Sequence, residues 1–251
     1  MRGILVTKSL TKFFGGFKAV DNVNLTLHEG TVTSIVGPNG AGKTTLLNMI
    51  SGVVKPSSGR IYFMGRDITG LPVHKIVRMG IARGFQIPCV CSNLTTLDNV
   101  RVAVLSRMGK LCNMFKLVDG DGEVYSKATE ILKTFGLYDK RDLLAQDLSH
   151  GDRKLLDIAM AFALEPKLIL LDEPTSGVSS SEKNRIMKTV EKVIREKGIT
   201  ALIVEHDMDI VFSYSDRIIV MYDGKIIADG EPEEIMSDRR IESLLLGCER
   251  L

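Results

Sequence analysis

The feature that most constrains the fold of this chain is a glycine-rich segment, GPNGAGKT, at residues 37–44. The preceding residues 31–36 are rich in β-branched side chains, and residues 44–51 repeat apolar side chains at helical spacing. This order of strand, glycine loop and helix is the context in which G-x-x-x-x-G-K-[ST] binds the phosphates of a nucleotide. The sequence therefore predicts an α/β fold that binds a nucleoside triphosphate.

The loop contains the residue types that phosphate binding requires. Its glycines let backbone N–H groups wrap the phosphates, and the following helix adds its positive N-terminal end. Lys43 is expected to reach the β- and γ-phosphates, and the Thr44 hydroxyl is expected to bind Mg²⁺. The expected nucleotide-contacting residues of this segment are Gly37, Pro38, Asn39, Gly40, Ala41, Gly42, Lys43, Thr44 and Thr45.

A second segment with expected chemistry is LILLDE at residues 168–173. Asp172 ends a fully apolar run typical of a buried parallel strand, where a lone carboxylate is costly unless it is paired or near a metal. We therefore expect Asp172 to lie across the site from Thr44 as a second metal-side ligand. Glu173 fits a base that orients or deprotonates the attacking water, a role worth ~10²–10⁴ in rate.

The rest of the chain alternates between β-rich and helical patterns. A polar break separates two helical patterns in the middle, so residues 88–163 are predicted to form a helical insert in an α/β core. Asp223 and Gly224 are a strong two-residue hairpin signal. The predicted strands are residues 4–10, 23–27, 31–36, 60–64, 168–171, 200–204, 217–222 and 225–229; the predicted helices are residues 44–51, 95–108, 123–135 and 182–196.

With the element LSHGD at residues 148–152, these segments resemble the ATP-binding cassette (ABC) ATPases over essentially the whole length of the chain. The resemblance implies a P-loop NTPase fold with a mainly parallel core sheet, an N-terminal antiparallel β subdomain and an inserted helical subdomain. It also implies that residues 1–251 form a single ABC ATPase domain that uses ATP and Mg²⁺.

The resemblance implies roles for several more residues. Gln86 matches the glutamine that links the catalytic magnesium and water to the helical subdomain. His206 matches the switch histidine that contacts the γ-phosphate, and it is expected with Glu173 and Lys43 among the catalytic residues. Phe14 matches the aromatic side chain that stacks on adenine, with Phe13 as a close alternative.

The LSHGD element is implied to act across a dimer. Ser149 and Gly151 match the signature residues that contact the γ-phosphate of ATP held by the other subunit, and the dipole of the following helix is aimed at that phosphate. Contacts across the dimer are expected to differ from those of many relatives because this chain departs from the common pattern. The departures are His150, Asp152, Met160 and Ser179, which stand where glycine, glutamine, arginine and aspartate are commoner.

Composition limits the classes of function. The chain has 251 residues, 44% hydrophobic and 25% charged, with a formal net charge of +2, which is ordinary for a globular protein and argues against nucleic acid as the main partner. The apolar run at residues 158–164 is too short to span a bilayer. Lys8 interrupts the N-terminus too early for a signal peptide. We therefore expect a cytoplasmic protein, peripheral on the cytoplasmic face of the membrane through partner chains, with free cysteines at Cys89, Cys91, Cys112 and Cys248.

Three stretches narrow the resemblance. Residues 14–20 (FGGFKAV), 80–86 (GIARGFQ) and 205–208 (EHDM) are similar to the ATP-binding subunits of branched-chain amino-acid importers. The resemblance implies a second ABC ATPase subunit in a homo- or heterodimer, transmembrane permease subunits and, indirectly, a substrate-binding protein. In the implied cycle two subunits sandwich two ATP·Mg²⁺, and hydrolysis reopens the dimer.

Several alternatives stay open at this point. The LSHG element with Met160 also resembles urea and short-amide importer subunits, and the lipopolysaccharide-export ATPase is a second alternative. A soluble ABC ATPase of DNA repair or translation usually carries a coiled-coil insertion or two cassettes, and neither is found. A small GTPase needs an Asn-Lys-x-Asp guanine reader, which is also absent. The transported substrate, the direction of transport and the identity of the second subunit are not visible in the sequence.

Overall fold

Two sheets of different topology organise the chain. The structure, a computed structural model, describes residues 3–84, 90–110, 122–238 and 240–241. Within these residues the elements are, in chain order, β1 (Gly3–Phe14), β2 (Phe17–His28), β3 (Val32–Val36), α1 (Lys43–Ile50), β4 (Ser58–Phe63), β5 (Arg66–Asp67), α2 (Val73–Met79), β6 (Ile81–Gly84), α3 (Thr96–Arg107), α4 (Gly122–Thr134), α5 (His150–Phe162), β7 (Leu168–Asp172), α6 (Ser180–Lys197), β8 (Thr200–Val204), α7 (Met208–Tyr214), β9 (Arg217–Tyr222), β10 (Lys225–Gly230) and α8 (Pro232–Ser237). Short 3₁₀ turns at Tyr138–Lys140 and Ala145–Asp147 precede α5.

The first sheet is antiparallel, with strand order β2-β1-β4-β5. Its main hairpin is longer than the patterns at residues 4–10 and 23–27 predicted. Strands β1 and β2 pair all the way to Phe14 opposite Phe17, because Gly15 adopts a positive φ of 56° and closes a two-residue turn. This pairing carries aromatic side chains to the hairpin tip.

The second sheet has six strands in the order β10-β9-β3-β8-β7-β6, and only β10 is antiparallel. Every residue of β3, β7 and β8 is buried, as expected for strands covered on both faces. Registers pair Ile35 and Asp172 with Val204. The carboxyl ends of three adjacent strands therefore lie side by side.

The predicted hairpin at residues 217–229 is confirmed. Asp223 and Gly224 have φ values of 45° and 77°, the two positive angles that a type I′ turn requires.

The middle of the chain is helical, as the patterns at residues 95–108 and 123–135 predicted. Thr95 caps α3 by accepting a hydrogen bond from the Asp98 backbone N–H (3.0 Å). Helices α3, α4 and α5 share one core, in which the Phe135 and Phe162 rings lie 5.3 Å apart. The limits of 88–163 for a separate subdomain stay a prediction.

Ser179, one of the departures from the common pattern, begins α6. Its hydroxyl and its backbone N–H both donate to the Glu182 carboxylate, over 2.9 and 3.3 Å. The Ser179–Glu182 pair forms a capping box, so this serine has a local structural role.

Across the described part of the chain, none of the helices has the length and apolar character needed to cross a membrane.

Candidate functional site

The glycine loop connects the end of β3 to the start of α1. Gly42, with φ of 96°, occupies the N-cap position of α1, so no side chain competes for the first backbone N–H groups of that helix. A Cβ at Gly42 would stand 2.3 Å from the Ala19 carbonyl oxygen, and one at Gly37 would stand 2.1 Å from that of Met221. Backbone packing therefore demands glycine at both positions, and the loop presents N–H groups suited to an anion.

Lys43 provides a buried positive charge inside the loop. Its Nζ donates to the carbonyl oxygens of Gly37 (2.6 Å) and Pro38 (2.9 Å). Burial lowers the pKa of the Lys43 ammonium, while the carboxylates of Glu173 and Asp172 oppose that shift. A polyphosphate would add negative charge directly beside this buried ammonium, so the loop fits the triphosphate of a nucleotide.

Thr44 and Asp172 meet where β7 ends beside α1. The Thr44 Oγ1 lies 3.4 Å from Oδ1 of Asp172, whose side chain is buried. A hydroxyl and a carboxylate oxygen this close are suitable ligands for Mg²⁺, which takes few protein ligands and keeps waters and phosphate oxygens for the rest. The residues predicted as metal ligands from the sequence are thus adjacent, with the exception of Gln86, which lies outside the described residues.

Arg83 holds the other oxygen of that carboxylate, a contact that sequence reasoning missed. Its Nη2 donates to Asp172 Oδ2 (2.8 Å), and its Nη1 donates to Ser51 Oγ (3.2 Å) and to Asn48 on α1. Both partners of the ion pair are almost fully buried. A charged side chain in the short apolar strand β6 was the available signal for this residue.

Glu173 and His206 form a contact at the ends of β7 and β8. Glu173 Oε1 lies 2.9 Å from Nε2 of His206. Glu173 has a positive φ of 50°, and its backbone N–H donates to the Val204 carbonyl (2.9 Å). A strained φ in a residue other than glycine is typical of functional positions.

Lys43, Thr44, Glu173 and His206 all line one cleft of about 280 Å³. The aromatic hairpin tip forms its far wall through Phe14 and Phe17, whereas Phe13 is not among the lining residues. The Phe17 ring, 63% exposed, is a second candidate contact for a base that the sequence did not single out. The lining residues are Phe14, Phe17, Ala19, Asn39, Gly40, Ala41, Gly42, Lys43, Thr44, Thr45, Glu173 and His206.

The signature element lies at the start of α5. Ser149 is the N-cap: its Oγ accepts from the Asp152 backbone N–H (3.1 Å) and donates to Asp152 Oδ2 (2.9 Å). A Cβ at Gly151 would stand 2.6 Å from Glu182 Oε1. Among the residues that the structure describes, neither Ser149 nor Gly151 lines the phosphate-loop cleft.

Asp152, where glutamine is commoner, joins three elements. Its buried carboxylate accepts from Arg185 of α6 (2.9 Å) and from Lys140 of the 3₁₀ turn. Desolvation opposes ionisation most strongly, yet the hydrogen bonds from Lys140, Ser149 and Arg185 together lower the pKa of Asp152. This residue therefore fixes the start of α5 against its neighbours.

Fold and site define a P-loop nucleotide-binding protein of the α/β class. Residues 20–176 match the sequence profile of the family described as ABC transporter. The probable branched-chain amino acid transport ATP-binding protein LivG of Archaeoglobus fulgidus is 38% identical over 98% of this chain and 96% of its own length. The chain belongs to the ABC transporter family, and within it the chain is an ATP-hydrolysing cassette.

Solved structures agree with membership in the ABC transporter family. The ADP conformation of MJ1267, an ATP-binding cassette of an ABC transporter, is 37% identical, with a TM-score of 0.87 over 98% of this chain and 100% of that one. A dimeric post-hydrolysis state of the ATP-binding cassette MJ0796, bound to ADP and Pi, is 30% identical, with a TM-score of 0.77 over 91% of this chain and 98% of that one.

Proposed function

We propose that this chain energises separate transmembrane permease subunits of an importer for branched-chain amino acids. The observation that carries the proposal is one cleft, near the ends of three parallel strands, that Lys43, Thr44, Glu173 and His206 line; Asp172 contacts Thr44 at its edge. The substrate class rests on relatives that carry branched-chain amino acid transport in their names.

In the proposed reaction the phosphate loop binds and orients ATP. Backbone N–H groups at the start of α1 and the Lys43 ammonium contact the β- and γ-phosphates, while Phe14 stacks on the adenine. Thr44 and Asp172, together with Gln86, would hold Mg²⁺, which would supply positive charge beside the phosphates.

Glu173 and His206 act on the water and the phosphate. Glu173 accepts a hydrogen bond or a proton from the attacking water, and His206 orients Glu173 and contacts the γ-phosphate. The 2.9 Å contact between His206 Nε2 and Glu173 Oε1 supports these paired roles. A positioned base contributes ~10²–10⁴ in rate.

The second half of the site comes from another cassette. We assign Ser149 and Gly151, which do not line this cleft among the described residues, to the γ-phosphate held by a partner cassette. The dimeric state of the similar cassette MJ0796 supports this arrangement. ATP favours the closed dimer because it binds both halves only in that state.

Closure is proposed to move the helical part of the single domain, residues 88–163, and to pull on a docked permease through Gln86. The chain is then peripheral on the cytoplasmic face of the membrane, and a substrate-binding protein acts indirectly through the permeases. Nucleic acid has no place in this cycle, in agreement with the net charge of +2.

A second candidate is import of urea or short amides, which the LSHG element and Met160 favour. The two candidates differ in the permease and not in the chemistry of this chain. Uptake of labelled leucine or urea by cells that express this chain with the permeases encoded beside it distinguishes them.

The test of the ATPase cycle is size-exclusion chromatography of Glu173→Gln with and without ATP·Mg²⁺. The substitution keeps nucleotide binding and blocks hydrolysis, so ATP should shift the protein from monomer to dimer. Lys43→Ala is the matched control, because it removes the phosphate contact and should abolish both the shift and the wild-type ATPase activity. Full ATPase activity in Lys43→Ala would overturn the proposal.

A further inference from the structure

A second buried carboxylate lies beside the hydrolytic pair, and the proposed cycle gives it no role. Glu205 stands between the end of β8 and His206, and only 3% of it is exposed. Burying a carboxylate is unfavourable unless hydrogen bonds compensate. Burial raises the pKa of Glu205, and hydrogen bonds from Thr175 and His206 oppose that rise.

Both oxygens of Glu205 accept hydrogen bonds, and the donors belong to the segments that carry the hydrolytic pair. Oε1 accepts from the Thr175 backbone N–H (2.9 Å) and from Thr175 Oγ1 (2.7 Å). Oε2 accepts from the His206 backbone N–H (3.2 Å). The Glu205 side chain therefore ties the segment that follows Glu173 to the segment that begins with His206.

We call the hydrogen bonds of Glu205 to Thr175 and to the His206 backbone the Glu205 clamp. This clamp restricts the position of Glu173. Glu173 is two residues from Thr175 and is held in the left-handed backbone region, with φ of 50°. Its own segment is joined to β8 by the backbone hydrogen bond from Glu173 N–H to Val204 (2.9 Å). The bonds of Glu205 to Thr175 add a second connection on the far side of Glu173, so this residue is fixed from both sides.

We propose that Glu205 and Thr175 are positioning residues that hold Glu173 against His206 for hydrolysis. This inference rests on the proposed ATPase function. Neither residue touches the nucleotide cleft, since neither lines it among the described residues. Their loss should therefore lower kcat and leave nucleotide binding unchanged.

The decisive comparison is Thr175→Val against Thr175→Ser. Valine keeps the volume and removes the hydroxyl, whereas serine keeps the hydroxyl that donates to Glu205. We expect Thr175→Val to lower kcat about tenfold, which corresponds to ~1.4 kcal/mol in the barrier, with KM within twofold of wild type. Thr175→Ser should retain kcat within twofold. Equal kcat values in the two variants would overturn the proposal.

A second variant and a second readout separate positioning from loss of fold. Glu205→Gln keeps the shape and removes the charge, and its effect on kcat should not add fully to that of Thr175→Val, because both weaken the same set of hydrogen bonds. The chain has four histidines, so the imidazole NMR signal of His206 can be assigned with His206→Ala. Thr175→Val should shift or split that signal in the absence of nucleotide.

An unchanged His206 signal in Thr175→Val would overturn the proposal whatever the activity. Failure of the ATPase proposal looks different: the wild-type protein would then not hydrolyse ATP, while the NMR comparison would still report whether the clamp holds His206.

Discussion

Two regions of this cassette differ in how many of their functional side chains lie together: the phosphate-loop side around Lys43 and the signature side at the start of α5. On the phosphate-loop side, Lys43, Thr44, Glu173 and His206 line one cleft within a single chain, and Asp172 contacts Thr44. On the signature side, the Ser149 hydroxyl is engaged in capping its own helix, and Asp152 is tied to α6.

This difference agrees with the proposed dimer, in which one chain supplies the nucleotide site and its partner supplies the signature residues. The ends of parallel strands position the phosphate-loop side, whereas Ser149 and Gly151 lie at the start of α5 and, among the described residues, do not line the cleft. A direct link does exist: Lys154 of α5 donates to Ser176 Oγ (3.1 Å) and to the Glu173 carbonyl (3.4 Å). Movement of α5 in a dimer would therefore displace the segment that carries Glu173 through these two hydrogen bonds.

The largest expected effect tests the phosphate-loop side. Glu173→Gln should lower kcat by ~10²–10⁴ and leave ATP affinity within a fewfold of wild type, because the amide cannot accept a proton from water. Steady-state ATPase assays and fluorescent-nucleotide titration measure the two quantities. If Glu173→Gln retained more than a tenth of the wild-type kcat, Glu173 could not be the base.

Next in size is the buried ion pair between Arg83 and Asp172. Arg83→Met should lower the free energy of unfolding by ~3–5 kcal/mol, because it removes the guanidinium that pairs with the buried Asp172 carboxylate. The double substitution Arg83→Met with Asp172→Asn removes both charges and should recover part of that loss. Urea unfolding of wild type, Arg83→Met, Asp172→Asn and the double variant gives the coupling energy; purely additive effects would mean that the pair is not energetically linked.

On the signature side the expected effect on stability is smaller. Ser149→Ala should lower the free energy of unfolding by ~1 kcal/mol through loss of the α5 cap, and Ser149→Thr, which keeps a capping hydroxyl, should lose less. Binding of ATP to the monomer should be unchanged in both, while ATP-dependent dimerisation in the Glu173→Gln background should weaken in Ser149→Ala. Weaker monomer binding would contradict the separation of the two sides.

The smallest expected effect is a pH dependence at Asp152. Desolvation opposes the ionisation of Asp152, but the hydrogen bonds from Lys140, Ser149 and Arg185 together outweigh it, so the pKa of Asp152 is lowered in the folded state. The ionised carboxylate therefore stabilises the fold above the unfolded pKa of ~3.9, and this stability is lost as pH falls through the lower folded value. Asp152→Asn should be less stable than wild type at pH 7, and the gap should shrink in acid. Urea unfolding midpoints of wild type and Asp152→Asn at pH 7 and at about pH 3 measure this difference in stability. An equal difference at the two pH values would contradict the ionic role of Asp152.

Local sequence predicted the parts that depend on neighbouring residues. The strand, loop and helix around residues 37–44 and the hairpin at Asp223 and Gly224 are confirmed because periodicity and turn chemistry act within a few residues. The contact of Asp172 with Thr44 was predicted from the motifs, and the role of His206 beside Glu173 was implied by the family resemblance.

Tertiary structure alone decided which distant side chains support that site. Arg83 and Asp172 are 89 residues apart, and Glu205 and Thr175 are 30 apart, so no local pattern pairs them. The length of the first hairpin brought Phe17 to the cleft as well as Phe14. Buried charges must find partners wherever the sheet register brings them, and that register is a property of the folded chain rather than of any segment.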